Sequence, residues 1–277
     1  MGESLIEAFG MLSRDERVKV VILTSSPQPS SKSSASIFCA GADLSPSSSA
    51  LSYEDESPEE HRDLGGRVAL AIHNCNKPVI AAINGHAVGV GITMTLPCSI
   101  RVVSNRAKIG FVFARRGIVM EGCSSYFLPR LIGFSQAMHL ITTGSVYPAT
   151  HPLFSSLFTT IVPPEEVFSR AIQLGTEIVE NCSIVSLTLM RDMMYRGPPT
   201  PEAAHLLESS VLAEIGTGRD KREGVASFIE GRKAVFRGTM EEDGPGCWPW
   251  WNVVDGVGKG GLGEKEWTEG KRGRSKL

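Results

Sequence analysis

In this chain of 277 residues, Glu121 is the side chain best placed to move a proton. It follows Ile118, Val119 and Met120 and precedes Gly122, Cys123, Ser124 and Ser125, a change from apolar to small residues that would begin a helix. A carboxylate beside apolar surface has its pKa raised, because burial disfavours the charged form, and this suits it to general acid–base work. Taken alone, the segment fits equally well an exposed glutamate that favours a helix N-terminus. Two glycine-bearing turns offer complementary chemistry. In Phe38-Cys39-Ala40-Gly41-Ala42-Asp43-Leu44 an apolar run meets Gly41, where the chain must turn and leave the next amides without strand partners. In Asn84-Gly85-His86-Ala87-Val88-Gly89-Val90-Gly91 a strand gives way to a helix, and Gly89 and Gly91 permit close backbone approach. Amides at a helix start point outward with the favourable end of the dipole behind them. Two such turns together can hold a developing oxyanion, whereas either one alone reads more simply as a turn.

Other reactive side chains have plainer readings. His86 is expected to be packed or hydrogen-bonded, and Asp43 to cap its own turn. Ser124 and Ser125 lack a base partner, which argues against a serine hydrolase. Arg115 and Arg116 read as solvent-facing or as contacts between subunits, and Trp248, Trp250 and Trp251 as an anchor against the body of the domain. Gly258, Gly260 and Gly263 fit a dinucleotide spacing, but no strand precedes them and charged residues surround them.

The elements that must position these groups are legible from periodicity. Leu5, Ile6, Phe9 and Leu12 recur at helical spacing, Val18–Thr24 is a β-type run, and Ile37–Leu44 is a short apolar segment between two Ser-rich stretches. His61–Cys75 reads as a helix, Pro78–Ile83 as a strand, Gly91–Leu96 as a helix that Pro97 soon ends, and Ile100–Val103 and Ala107–Phe111 as strands. Helical spacing then covers Glu165–Asn181, Ser186–Tyr195, Pro201–Ile215 and Asp220–Arg232. Strand and helix units followed by a helical end predict an α/β core with a helical extension.

Composition narrows the class. Hydrophobic residues at 42% and charged residues at 21% describe a globular chain, and a net charge of -2 supplies no basic field for nucleic acid. The longest uncharged run, Val79–Ile100, is broken by glycines and Pro97, so no membrane span is expected. The six cysteines are scattered singly without metal-ligand spacing and read as buried thiols. Neither a metal nor a redox cofactor is implied. The chain finishes Ser275-Lys276-Leu277, which in a eukaryotic cell is the address read by the peroxisomal import receptor, so peroxisomal localisation is expected.

The run Val18–Thr24, then Phe38-Cys39-Ala40-Gly41-Ala42-Asp43-Leu44, then Lys77-Pro78-Val79-Ile80-Ala81-Ala82-Ile83-Asn84-Gly85 with its glycine-rich continuation, resembles the enoyl-CoA hydratase/isomerase, or crotonase, superfamily. The resemblance implies a spiral of ββα units and a helical part that builds trimers or hexamers. It also implies an acyl-CoA thioester whose oxygen is held by the amides of Ala42 and Val90, with Ala40, Gly41, Asp43 and Gly89 shaping that site. By this reading residues 1–180 form the core, 181–237 a helical oligomerisation region, and 238–277 a Gly- and Trp-rich tail. Members carry strands and a CoA-holding loop ahead of the equivalent of Val18, so the N-terminal strands are expected to be missing here.

Departures from the family pattern select the chemistry. The positions that carry two glutamates in typical hydratases are occupied by Thr93 and Phe113, neither of which is an acid or base. Met120-Glu121-Gly122-Cys123-Ser124-Ser125-Tyr126 is instead similar to a segment of peroxisomal 3-enoyl-CoA to 2-enoyl-CoA isomerases, in which that glutamate is the catalytic base. Isomerisation is the expected reaction, with coenzyme A present only as part of the substrate. The alternatives are an enoyl-CoA hydratase of a toxin or siderophore pathway and a non-catalytic, truncated subunit.

Overall fold

The computed structural model describes residues 1–26, 36–45, 57 and 60–251. Helix α1 (Gly2–Arg14) turns Leu5, Ile6, Phe9 and Leu12 towards the core, the stripe that its spacing predicts. Strand β1 (Val21–Thr24) begins at Val21 rather than Val18, and β2 (Ile37–Cys39) is followed by the Gly41 turn. Helix α2 (Leu64–Asn74) packs against α1 and is capped by Asp63, whose Oδ1 accepts the Gly66 amide at 2.6 Å. Then come β3 (Val79–Ile83), β4 (His86–Val88), the short α3 (Val90–Thr93), β5 (Ile100–Ser104) and β6 (Lys108–Gly110). Strand β4 corrects the reading of Asn84–Gly91 as a turn running straight into a helix. Three residues are too few to show a period, and it is their place between β2 and β6 that makes them a strand.

Beyond residue 123 the chain forms α4 (Ser124–Ile132), α5 (Phe134–Thr143), β7 (Val146–Pro148) and β8 (Thr160–Val162). The helical remainder is α6 (Val167–Asn181), α7 (Ile184–Arg196), α8 (Pro201–Ile215), α9 (Arg219–Glu230) and α10 (Met240–Asp243).

Two four-stranded sheets result, ordered β1-β3-β5-β8 and β2-β4-β6-β7, parallel throughout except for the β6–β7 pair. In the pairs β1/β2, β3/β4 and β5/β6 the first strand joins the first sheet and the second strand the other, with helical chain before the next pair, whereas β7 and β8 join in the reverse order. This is the ββα spiral expected. Strand β3 is apolar at every position because both of its faces are covered. Ile80 and Ala82 meet Val167 and Ala171 of α6, whereas Ala81 and Ile83 join the main core with Phe38, Ile92 and Leu128. Cys75 and Cys98 are buried, but Cys39, Cys123, Cys182 and Cys247 are only half-buried; all are free thiols.

Candidate active site

Glu121 sits between the 3-10 turn Phe113–Arg116 and α4, where the backbone is tightly constrained. The two residues after it are left-handed, Gly122 at φ 63° and Cys123 at φ 54°, the second a conformation that costs a non-glycine residue about 1 kcal/mol. Ser124 then fastens the turn, its amide (3.0 Å) and hydroxyl (2.5 Å) both donating to the Glu121 carbonyl. The side chain is thereby directed at two other units of the spiral. On α2 it lies against Gly65, where any Cβ would collide with Glu121 Oε2 and stand 3.1 Å from Val90 Cγ2. On α3 the Thr93 hydroxyl donates to Glu121 Oε1 at 2.6 Å.

Glu121 Oε2 is buried and has no hydrogen-bond partner among the described residues. Burial is the main reason that this carboxyl is pushed up to about 7; the Thr93 hydrogen bond pulls it down and the Asp63 carboxylate pushes it further up. The exposed first-turn reading of Glu121 therefore does not hold. The Cys123 thiol is also pushed up by burial, to about 11, so it is no thiolate nucleophile at neutral pH.

The two glycine turns meet. They follow β2 and β4, parallel neighbours, at the same end of one sheet. Gly41, at φ 102°, approaches the Val88 carbonyl so closely that a Cβ would lie 3.1 Å from it, and Gly91 packs directly on the Cys39 carbonyl. Gly89 donates to the Gly110 carbonyl at 3.0 Å, and its own carbonyl accepts the amides of Ile92 and Thr93, which starts α3. Val90 is the first residue of that helix, where an amide has no intrahelical acceptor. Neither the Val90 nor the Ala42 amide has a partner among the described residues. Val90 links the two halves of the site: its amide opens at the turn while its side chain touches the same glycine as Glu121 Oε2.

Of the residues singled out from sequence, Gly41, Gly89, Val90 and Glu121 come together here, and Ala40, Ala42 and Asp43 lie on the exposed part of the same turn. Asp43 caps it, accepting the Ser45 amide at 2.9 Å, a bond that holds its carboxyl below the ordinary value. His86 Nδ1 accepts the Lys108 amide at 2.9 Å. Arg115 holds the Thr143 carbonyl and Ser145 hydroxyl at the protein surface, and Phe113 is buried in the core. Trp248 Nε1 donates to Asp192 and Trp250 Nε1 to the Arg196 carbonyl, each at 3.0 Å, which anchors that segment on α7. Gly258, Gly260, Gly263, Ser275, Lys276 and Leu277 lie outside the described residues.

Three participants escaped sequence reasoning: Thr93 as partner of Glu121, Asp63 as its charged neighbour, and Gly65 as the surface it rests on. One signal was available, the Gly65-Gly66 pair in a predicted helix, which is unfavourable there unless something must approach closely. Among the described residues no group of three His, Cys, Asp or Glu side chains could hold a metal ion, and no helix is long and apolar enough to cross a membrane.

The family profile described as Enoyl-CoA hydratase/isomerase matches residues 1–239. The chain belongs to the enoyl-CoA hydratase/isomerase family. Enoyl-CoA hydratase AFT3-1 of Alternaria alternata is 46% identical over 239 residues, 86% of this chain and 77% of the relative. The short-chain-enoyl-CoA hydratase of Clostridium acetobutylicum is 31% identical over 226 residues, 81% of this chain and 82% of that one. The crystal structure of an enoyl-CoA hydratase from Bacillus anthracis superposes with a TM-score of 0.72 at 26% identity, covering 86% of this chain and 88% of that chain. These matches carry the enoyl-CoA hydratase/isomerase family and its fold, not the narrower isomerase likeness expected from residues 120–126. An acyl-CoA thioester is the substrate class that fits the family.

Proposed function

We propose that this enoyl-CoA hydratase/isomerase moves the double bond of a 3-enoyl-CoA to the 2-position, with Glu121 as the only proton carrier. The observation that supports this most directly is the Glu121 carboxylate, with its Oε2 buried and its pKa pushed up to about 7, beside a turn whose Ala42 and Val90 amides have no partner among the described residues. Glu121 removes a proton from the carbon between the thioester and the double bond. The released electron pair delocalises through the alkene and the carbonyl, giving a dienolate whose charge collects on the thioester oxygen. The amides of Ala42 and Val90 hold that oxygen, a contribution of about 3 to 4 kcal/mol per donor in comparable sites. The protonated Glu121 then returns the same proton at the γ carbon, which leaves the double bond conjugated with the thioester. No electrons leave the substrate and no water is consumed, so one acid–base group suffices.

A second reading, addition of water with Glu121 as the activating base, is favoured by the hydratase name of the relative that shares 46% identity. Incubation with paired 2-enoyl and 3-enoyl thioesters distinguishes the two by product mass. Isomerisation consumes the 3-enoyl substrate without change of mass, whereas hydration gives a product heavier by one water. Glu121→Gln is expected to lower the productive rate by about 10²- to 10⁴-fold while the protein stays folded. A variant as active as the parent would overturn both readings, and a wild-type protein inert towards either thioester would return it to the non-catalytic class.

A further inference from the structure

Thr93 stands where the family resemblance places a second glutamate, and it carries neither a base nor an acid. It is nonetheless fully buried, and among the described residues it is the only side chain that hydrogen-bonds the Glu121 carboxylate. Its amide donates to the Gly89 carbonyl at 3.1 Å, so its backbone is fixed to the turn from which Val90 presents its amide. From the opposite side Gly122 comes so close that a Cβ there would lie 2.7 Å from Thr93 Oγ1, and only a left-handed glycine leaves the hydroxyl free to reach Glu121.

We infer that Thr93 is the positioning residue of this site: its hydroxyl pins Glu121 Oε1, so that Oε2 is the oxygen that takes up and returns the substrate proton. While the carboxylate is ionised, the Thr93 hydroxyl gives its one hydrogen to Oε1 and leaves Oε2, which has no hydrogen-bond partner among the described residues, as the oxygen without a protein donor. The charged and titratable groups facing this carboxylate are Asp63 at the start of α2 and Cys123 in its own turn. Neither favours the ionised form, so Thr93 is the neighbour that does. Because Val90 and Thr93 share one short helix, the same element fixes both the oxyanion contact and the orientation of the base. The inference rests on the proton-carrying role proposed for Glu121.

The test compares Thr93→Val, which keeps shape but removes the hydroxyl, with Thr93→Ser, which restores it. Two readouts are taken: the titration of Glu121 in the substrate-free protein by carboxyl ¹³C NMR, and the pH profile of kcat. In Thr93→Val the Glu121 midpoint and the acid limb of kcat are expected to rise by about one pH unit, the size of one lost hydrogen bond to a charged group. On the alkaline plateau kcat is expected to fall about tenfold with KM within about twofold, and Thr93→Ser to recover both. A Glu121 midpoint that does not move in Thr93→Val, or a serine variant that behaves like valine, would overturn the inference. A wild-type protein inert on every thioester whose Glu121 midpoint still follows Thr93 would sink the catalytic reading and leave the hold of Thr93 on Glu121 supported.

Discussion

Glu121 is a destabilising residue, and the pH at which it is so follows from its shift. The unfolded chain releases this proton near 4.5 and the folded chain at about 7. A raised folded pKa means that both states hold the proton below 4.5, and that stability is lost as the pH climbs from there to 7. The full loss is up to roughly 3 kcal/mol. Glu121→Gln removes this slope, so the variant should match the wild type near pH ~4 and exceed it near pH ~8 by up to that amount, read from denaturant midpoints. A gain of equal size at both pH values would show that packing rather than ionisation is responsible. Glu121 was legible in the sequence as the one carboxylate of its segment and through the family resemblance, but the burial inferred from the run before it is not the cause. Ile118 and Val119 are 38% and 84% exposed, and Gly65, Val90 and Thr93 cover the carboxylate instead. Thr93 and Asp63 were not, because they reach the site from other units of the spiral, and nothing in their neighbouring residues records that.

At the scale of elements, length separates what periodicity reveals from what it hides. Strand β3 and helix α8 were legible because five apolar residues and a capped fifteen-residue helix each display their own pattern. Strands β4, β7 and β8 have three residues apiece, and only the ladders they join define them. Arg101 of β5 shows how such short pieces are tied together. It is 4% exposed, and its guanidinium donates to the carbonyls of Leu157 (2.8 Å), Leu96 (3.1 Å) and Cys98 (2.5 Å). One cation thus joins the chain leaving α3 to the chain approaching β8. Arg101→Met should destabilise the fold by about 3 kcal/mol, since three buried carbonyls lose their donor. Urea unfolding measures it, and a change below about 1 kcal/mol would mean that water replaces the guanidinium.

In the whole molecule, α7 is the junction. Asp192 is buried and receives both Arg191, at 2.9 Å, and the Trp248 indole, while Arg191 also donates to the Cys75 carbonyl at the end of α2. Beyond this junction, α8 and α9 expose Leu206, Leu212, Phe228 and Ile229. So much bare apolar surface on adjacent helices supports the proposal that this region assembles the protein into a homotrimer or hexamer. Light scattering on the eluting protein should give a multiple of three chains, and Phe228→Asp should lower it; a monomeric wild type would remove the proposal. The family resemblance marked residues 181–237 as an oligomerisation region, but only the folded chain shows which of its apolar side chains find no cover. The interleaved strand order also governs how the molecule is made. The first sheet is finished only when Thr160–Val162 reaches Val102–Ser104, and each earlier rung likewise waits for a full unit of chain. Pairings so distant in sequence incur loop-closure entropy before they contribute, which slows folding. During synthesis the half-built sheet presents β5 as a bare edge until its last strand leaves the ribosome, and an unpaired edge of that kind is a template on which neighbouring nascent chains can misassociate.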